Sequence, residues 1–128
     1  MTGYISNIEE ITLANNYFRQ VLFTGKYSQL VLMCLQISEE IGMEVHETVD
    51  QFFRIEEGEG KVVMNGEENQ FKNGFVFIVP AGTQHNVINT GAVPLKLYTI
   101  YSPANHRDGV IHKTKVEALA DTTDEVQR

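Results

Sequence analysis

Cysteine occurs once among the 128 residues, as Cys34. No intrachain disulfide can form, and the apolar setting LVLMCLQI makes this a buried structural thiol rather than a nucleophile. Long apolar runs are also missing. The longest, Leu30 to Leu35, falls far short of the roughly 20 residues that cross a bilayer. Positive charge is in deficit, with 10 Lys and Arg against 17 Asp and Glu and a net charge of -7. That sign opposes the attraction to phosphate backbones that supplies most non-specific nucleic-acid affinity, so DNA, RNA and anionic membranes are poor partners. The opening MTGYISNIEEITLANN lacks the basic and then apolar layout of a secretory leader. The expectation is a soluble, cytoplasmic protein. No tandem repeat, low-complexity tract or linker interrupts the chain, so one domain over 1–128 is expected.

Helical periodicity is scarce as well. From about residue 17 to residue 101, short β-branched and aromatic runs alternate with turn residues, which predicts an all-β sandwich or barrel. YFRQVLFT, QLVLMCLQI, KVVM, ENQFK, FVFIVP, HNVINT and PLKLYTIY are the candidate strands. Asn65-Gly66 is the clearest hairpin turn, because a type I′ turn needs positive φ at both central residues. Gly58 and Gly60 read as strand-end turn residues, and Glu56, Glu57 and Glu59 as a solvated edge. Outside the block, SNIEEITLA reads as a short strand or irregular lead-in and VEALAD as about one helical turn. DTTDEVQR reads as a frayed end.

Side chains at i and i+2 on a strand share a face. Read as a strand, GMEVHET turns Gly42, Glu44 and His46 one way and Met43 and Val45 the other. On the next run Gln51, Phe53 and Ile55 point inward, Phe53 and Ile55 together with Val87 as the pocket lining, while Arg54 and Glu56 face solvent. His85, Val87 and Asn89 share a face further on. A glutamate inside a barrel is expensive to desolvate unless something pairs with it, and a divalent cation removes that expense.

The spacing Gly74, Pro80, Gly82, His85, Asn89 matches the second motif of the cupin family at every fixed position. The first cupin motif is matched less fully. Aligned on Gly58, Glu44 takes the place of its first histidine, His46 of its second and Gln51 of its glutamate. The resemblance covers roughly residues 28–101 and implies a cupin-type double-stranded β-helix, a jelly-roll barrel of two antiparallel sheets, with irregular terminal segments. It also implies a divalent metal held by Glu44, His46, Gln51 and His85. Relative to the usual three histidines and one glutamate, this set trades an imidazole for an oxygen donor and shifts preference toward zinc, iron(II) or manganese. Gly58, Gly74, Pro80, Gly82 and Asn89 are read as architectural. A metal-free hydrogen-bonded network of the same four side chains remains the alternative.

The functions this allows are metal-dependent isomerase, oxygenase or lyase chemistry on a small polar molecule, a non-catalytic module for a sugar or organic acid, or a degenerate structural role. The donor inventory is distantly similar to that of mannose-6-phosphate isomerases, though phosphate recognition wants an inward cation and Arg54 points out. His106, Arg107, His112 and Lys115 could fold over a pocket or reach a dimer partner, but are read as a polar surface tail over 102–128. Small cupins commonly pair, so a homodimer is expected, through the Ile8 to Leu13 segment or the outward face of the β block.

Overall fold

The structure, a computed structural model, describes residues 2–125. Nine strands follow the turn punctuation of the sequence: β1 (Arg19–Thr24), β2 (Gln29–Leu35), β3 (Asp50–Glu57), β4 (Glu59–Met64), β5 (Glu67–Lys72), β6 (Val76–Val79), β7 (His85–Asn89), β8 (Leu95–Ser102) and β9 (Ile111–His112). They form two antiparallel sheets. One has six strands in the order β6-β3-β8-β2-β1-β9, the other three in the order β5-β4-β7. The result is the expected all-β jelly roll.

Period-two alternation positions the core. Along β8, Leu95, Leu97, Thr99 and Tyr101 are buried while their neighbours are partly exposed. Along β3, Gln51, Phe53 and Ile55 are buried, as parity predicts. Phe53, Ile55 and Val87 are fully covered members of the main apolar cluster, where Phe53 stacks on Phe77 at 4.7 Å. Burying each such side chain contributes about 1.5–3 kcal/mol. Met64 and Glu67 pair directly across Asn65-Gly66, whose φ values of 49° and 84° satisfy the two-residue turn.

Several expectations are corrected. Residues 8–14 form a helix, α1 (Ile8–Ala14), rather than a strand or lead-in. Asn7 caps it by accepting from the Glu10 N–H at 3.1 Å, and α1 packs on β8 and β3. Gly60 lies inside β4, where an added Cβ would sit 2.3 Å from the Ile88 carbonyl oxygen; close backbone approach, not a turn, requires glycine. Glu56 is not solvated: its side chain keeps 5 % of its surface and pairs with Arg54 at 3.0 Å.

The stretch GMEVHET is not a strand. It meets β7 through the single Glu44–His85 bridge and the Gly42 N–H, which donates to Asn86 Oδ1 at 2.8 Å, with Glu40 bridging Ile88 just ahead of it. Four steps of chain on one side span three on the other, so one residue is extra, and the ladder breaks beside Gly42 at φ 107°. Parity survives. Met43 and Val45 are exposed, and Glu44 and His46 face in.

The C-terminal segment is no surface tail. β9 adds an edge strand to β1, pairing His112 with Arg19. Then α2 (Lys115–Ala120) leads to Asp124, which is buried, and Glu125, which bridges to His106. Of the end expected to be frayed, 121–125 are folded back onto the sheet and 126–128 lie outside the described residues. The six-stranded sheet therefore draws β1 and β9 from outside the 28–101 block.

Candidate metal centre

Two backbone devices bring Glu44, His46 and His85 together. Glu44 and His85 exchange both backbone hydrogen bonds, at 2.8 and 2.9 Å. The Pro80-Ala81-Gly82 corner holds the next residue in place, because the Gly82 N–H donates to the His46 carbonyl at 2.9 Å. Gly82 does so at φ 82°, a conformation that disfavours any side chain.

The three side chains each offer one donor atom, and these atoms lie within 4.8 Å of one another. His46 Nε2 stands 3.8 Å from Glu44 Oε2, and the two imidazole centroids are 5.4 Å apart. Ligands bound at 2.0–2.2 Å to one ion stand roughly 3–4 Å from each other, so this spacing needs little adjustment. The His85 Nδ1–H donates to the Thr83 carbonyl at 2.9 Å, a partner that can only accept. That fixes the tautomer and leaves Nε2 with its lone pair. Burial pulls the His85 pKa below its ordinary value, against the Thr83 hydrogen bond, and keeps the ring neutral.

Burial also pushes the Glu44 carboxyl up to about 7; Arg19 opposes this, while Glu125 and Asp124 add to it. Its side chain retains 29 % of its surface, toward the cavity it lines. A carboxyl so poorly solvated, placed among imidazoles, suits a cation.

Gln51 is turned inward on β3. Thr99 Oγ1 donates to the Phe52 carbonyl at 2.8 Å and so must accept from Gln51 Nε2, at 3.0 Å. This assigns the amide, and Gln51 Oε1 is left buried without a hydrogen-bond partner among the described residues. Gln51 faces Tyr101 across the β3–β8 ladder, and the Tyr101 ring lies edge-on to His46 at 5.8 Å. Glu44, His46 and His85 thus fit a divalent cation on their own chemistry, as two imidazoles and a desolvated carboxyl, and the orphaned Gln51 amide oxygen is buried on the inward face of β3. Asn89, by contrast, is architectural. Its Nδ2 reaches the carbonyls of Leu35, Gln36 and Val93 at 3.0–3.1 Å.

Sequence reasoning missed a second layer of polar residues. Tyr101 hydroxyl meets His106 Nε2 at 3.1 Å, and His106 Nδ1 meets Asp124 Oδ2 at 3.0 Å. Arg19 Nη1 lies 3.7 Å from the same carboxylate and 3.2 Å from His112 Nδ1, while His112 Nε2 meets Asp121 at 3.0 Å. Burial pulls the His106 pKa down, so the ring is neutral, donating to Asp124 and accepting from Tyr101. Burial raises the Asp124 carboxyl, but His106, Arg19 and His112 together hold it lower than usual. Arg19 and Tyr101 had a readable signal, since parity with Val21 on β1 and with Leu95, Leu97 and Thr99 on β8 turns them inward. Beside this network a cavity of about 310 Å³ opens onto Glu44, walled by β1, α2 and residues 121–125. Phe53, Ile55 and Val87 do not line it.

The cupin-domain family matches residues 31–101. The uncharacterised protein YrkC of Bacillus subtilis strain 168 is 50 % identical over 124 residues, covering 91 % of this chain and 66 % of that protein. The chain therefore spans about two thirds of that relative's length. The uncharacterised protein L612 of Acanthamoeba polyphaga mimivirus is 43 % identical over 84 % of this chain and 70 % of its own. Among solved structures, BH2720 of Bacillus halodurans superposes with a TM-score of 0.91 at 44 % identity, covering 92 % of this chain and 94 % of that one.

Proposed function

The chain belongs to the cupin family, and from that premise we propose that it is a divalent-metal cupin acting on a small polar molecule at the mouth of its barrel. One observation carries this reading: the donor atoms of Glu44, His46 and His85 lie within 4.8 Å of one another. Gln51 is the fourth ligand, through its orphaned Oε1. Phe53, Ile55 and Val87 form the apolar floor beneath them, on the same faces as Gln51 and His85. A zinc, iron(II) or manganese ion held there would supply Lewis-acid polarisation of a substrate oxygen for isomerase or lyase chemistry, and a redox-active iron or manganese would supply dioxygen activation for oxygenase chemistry.

The remaining work falls to the chain itself. Thr99 orients Gln51, and Thr83 holds the His85 tautomer. Tyr101, backed by His106 and Asp124, presents a hydroxyl beside the ligands. The C-terminal segment walls off the approach and limits the size of what enters. The same reading makes the protein a cytoplasmic homodimer, supported by exposed Phe75, Val76 and Ile78 on and beside the β6 edge.

Metal analysis tests this. Protein purified from metal-replete medium should carry close to one equivalent of a transition metal by mass spectrometry, and the His46→Ala/His85→Ala double variant should carry none while keeping its fold. Wild-type protein without stoichiometric metal, after reloading with zinc as well, would sink the reading.

A further inference from the structure

We propose that the cavity beside Glu44 is a carboxylate-binding site, with Arg19 as the residue that recognises the carboxylate and orients the molecule toward the ion. The proposal rests on the metal-binding reading above.

Arg19 is 6 % exposed, yet its pairing is incomplete. A guanidinium has five N–H donors in a fixed fork. Here the guanidinium lies over the Phe18 ring at 5.2 Å, and of its donors only Nη1 is engaged, by His112 Nδ1 at 3.2 Å and by Asp124 Oδ2 at 3.7 Å. Among the described residues Nε is buried with no hydrogen-bond partner, and Nη2 makes no hydrogen bond either. These two lie on one edge of the plane. Their parallel N–H bonds match a carboxylate bidentately, the geometry in which Arg binds anions most strongly. Leaving a buried donor unpaired costs about 1–3 kcal/mol, so this edge is a poor choice for structure alone. Arg19 lines the 310 Å³ cavity, as does Glu44, and is close enough to act on the Glu44 carboxyl.

The charges of the lining select the ligand. Arg19 and Lys115 face Glu44, Asp121, Asp124 and Glu125, two cations against four carboxylates. Once Glu44 has given up its proton, the metal-free cavity is net negative by two and repels anions. A divalent ion at Glu44, His46 and His85 cancels that excess. A single carboxylate is then tolerated, whereas a phosphate brings up to twice the charge into a lining that is only balanced. An ammonium group would meet the ion and the guanidinium as like charges. The volume lies at the lower end of the range for ligand pockets, which suits a small organic acid.

The test uses the intact protein, loaded with one equivalent of zinc and checked for metal content. It is titrated with propionate, propionamide, ethylphosphonate and propylammonium. Binding is followed by ¹⁵N–¹H correlation NMR, in which the Arg19 Nε–H gives its own signal. Propionate should bind at least tenfold more tightly than the other three, move the Arg19 Nε–H resonance, and fail to bind the metal-free protein. Arg19→Lys keeps the charge but loses the fork. It should weaken propionate at least tenfold while zinc affinity changes less than threefold.

Equal binding of propionate and propionamide by wild-type protein overturns the proposal whether or not the variant folds. So does a preference for ethylphosphonate or propylammonium, or an unchanged affinity in a folded Arg19→Lys. Failure of the wild type to take up zinc overturns the proposed function and this site with it. Zinc uptake without carboxylate preference overturns this site alone.

Discussion

Glu44 shows how one side chain ties the site to stability. In the metal-free protein its carboxyl is raised to about 7 from an ordinary 4.5. The folded state then holds a proton over a range where the unfolded chain has released it. The contribution of Glu44 to stability is therefore full below pH 4.5 and drains away as pH rises to about 7. Glu44→Gln should be the more stable protein at pH 7.5 in chelator, by about 2–3 kcal/mol, and should lose that advantage near pH 4.5. Urea unfolding at the two pH values measures the difference; the same advantage at both would show that Glu44 does not titrate in this range. Gln51 gives a second residue-level expectation. An amide oxygen is a weaker ligand than a carboxylate, so Gln51→Glu should tighten zinc binding roughly tenfold by calorimetry, an effect of about 1.4 kcal/mol. It should also destabilise the metal-free protein by burying an unpaired charge.

Among the elements, the C-terminal segment carries the consequence least visible beforehand. β9, α2 and residues 121–125 are held to the barrel through His106, His112 and Arg19, and Asp124 is the shared acceptor of His106 and Arg19. Removing one partner of a largely buried pair leaves the others uncompensated. Asp124→Asn should therefore cost about 3 kcal/mol in urea unfolding and open the 105–125 segment to limited proteolysis while the barrel stays resistant. Equal protection in variant and wild type would show that this network does not hold the segment. The elements also show why some of the structure was illegible. α1 depends on the Asn7 cap and on packing against β8 and β3, and a stretch as short as IEEITLA has too little periodicity to announce either. Residues 42–46 keep strand parity, which located their inward side chains correctly. The extra residue opposite β7 that breaks their ladder has no local signature.

For the whole molecule, metal and assembly are the measurable properties. A ligand that binds only the folded state at one hundred times its dissociation constant stabilises by about 2.7 kcal/mol. Saturating zinc should raise the melting temperature by roughly 10 °C for a chain of this size, and His46→Ala should abolish the shift. The exposed Phe75, Val76 and Ile78 lead to a second expectation. Light scattering after gel filtration should give twice the 14.5 kDa chain mass, and Ile78→Lys should return it to one; a wild-type monomer at micromolar concentration would exclude the dimer.

Alternation, turn chemistry and motif spacing belong to the chain itself. They set the all-β class, the Asn65-Gly66 hairpin and the inward set Gln51, Phe53 and Ile55, because strand parity and positive-φ turns are local properties of successive residues, while the grouping of Glu44 and His46 with His85 is implied by the motif resemblance alone. Arg19, Tyr101, His106 and Asp124 became neighbours only in three dimensions. They come from a strand, a core position and a terminal segment up to 105 positions apart, and only the closing of β9 on β1 and the return of residues 121–125 bring them to one mouth. A buried arginine with an unpaired edge is legible only once its neighbours are in place.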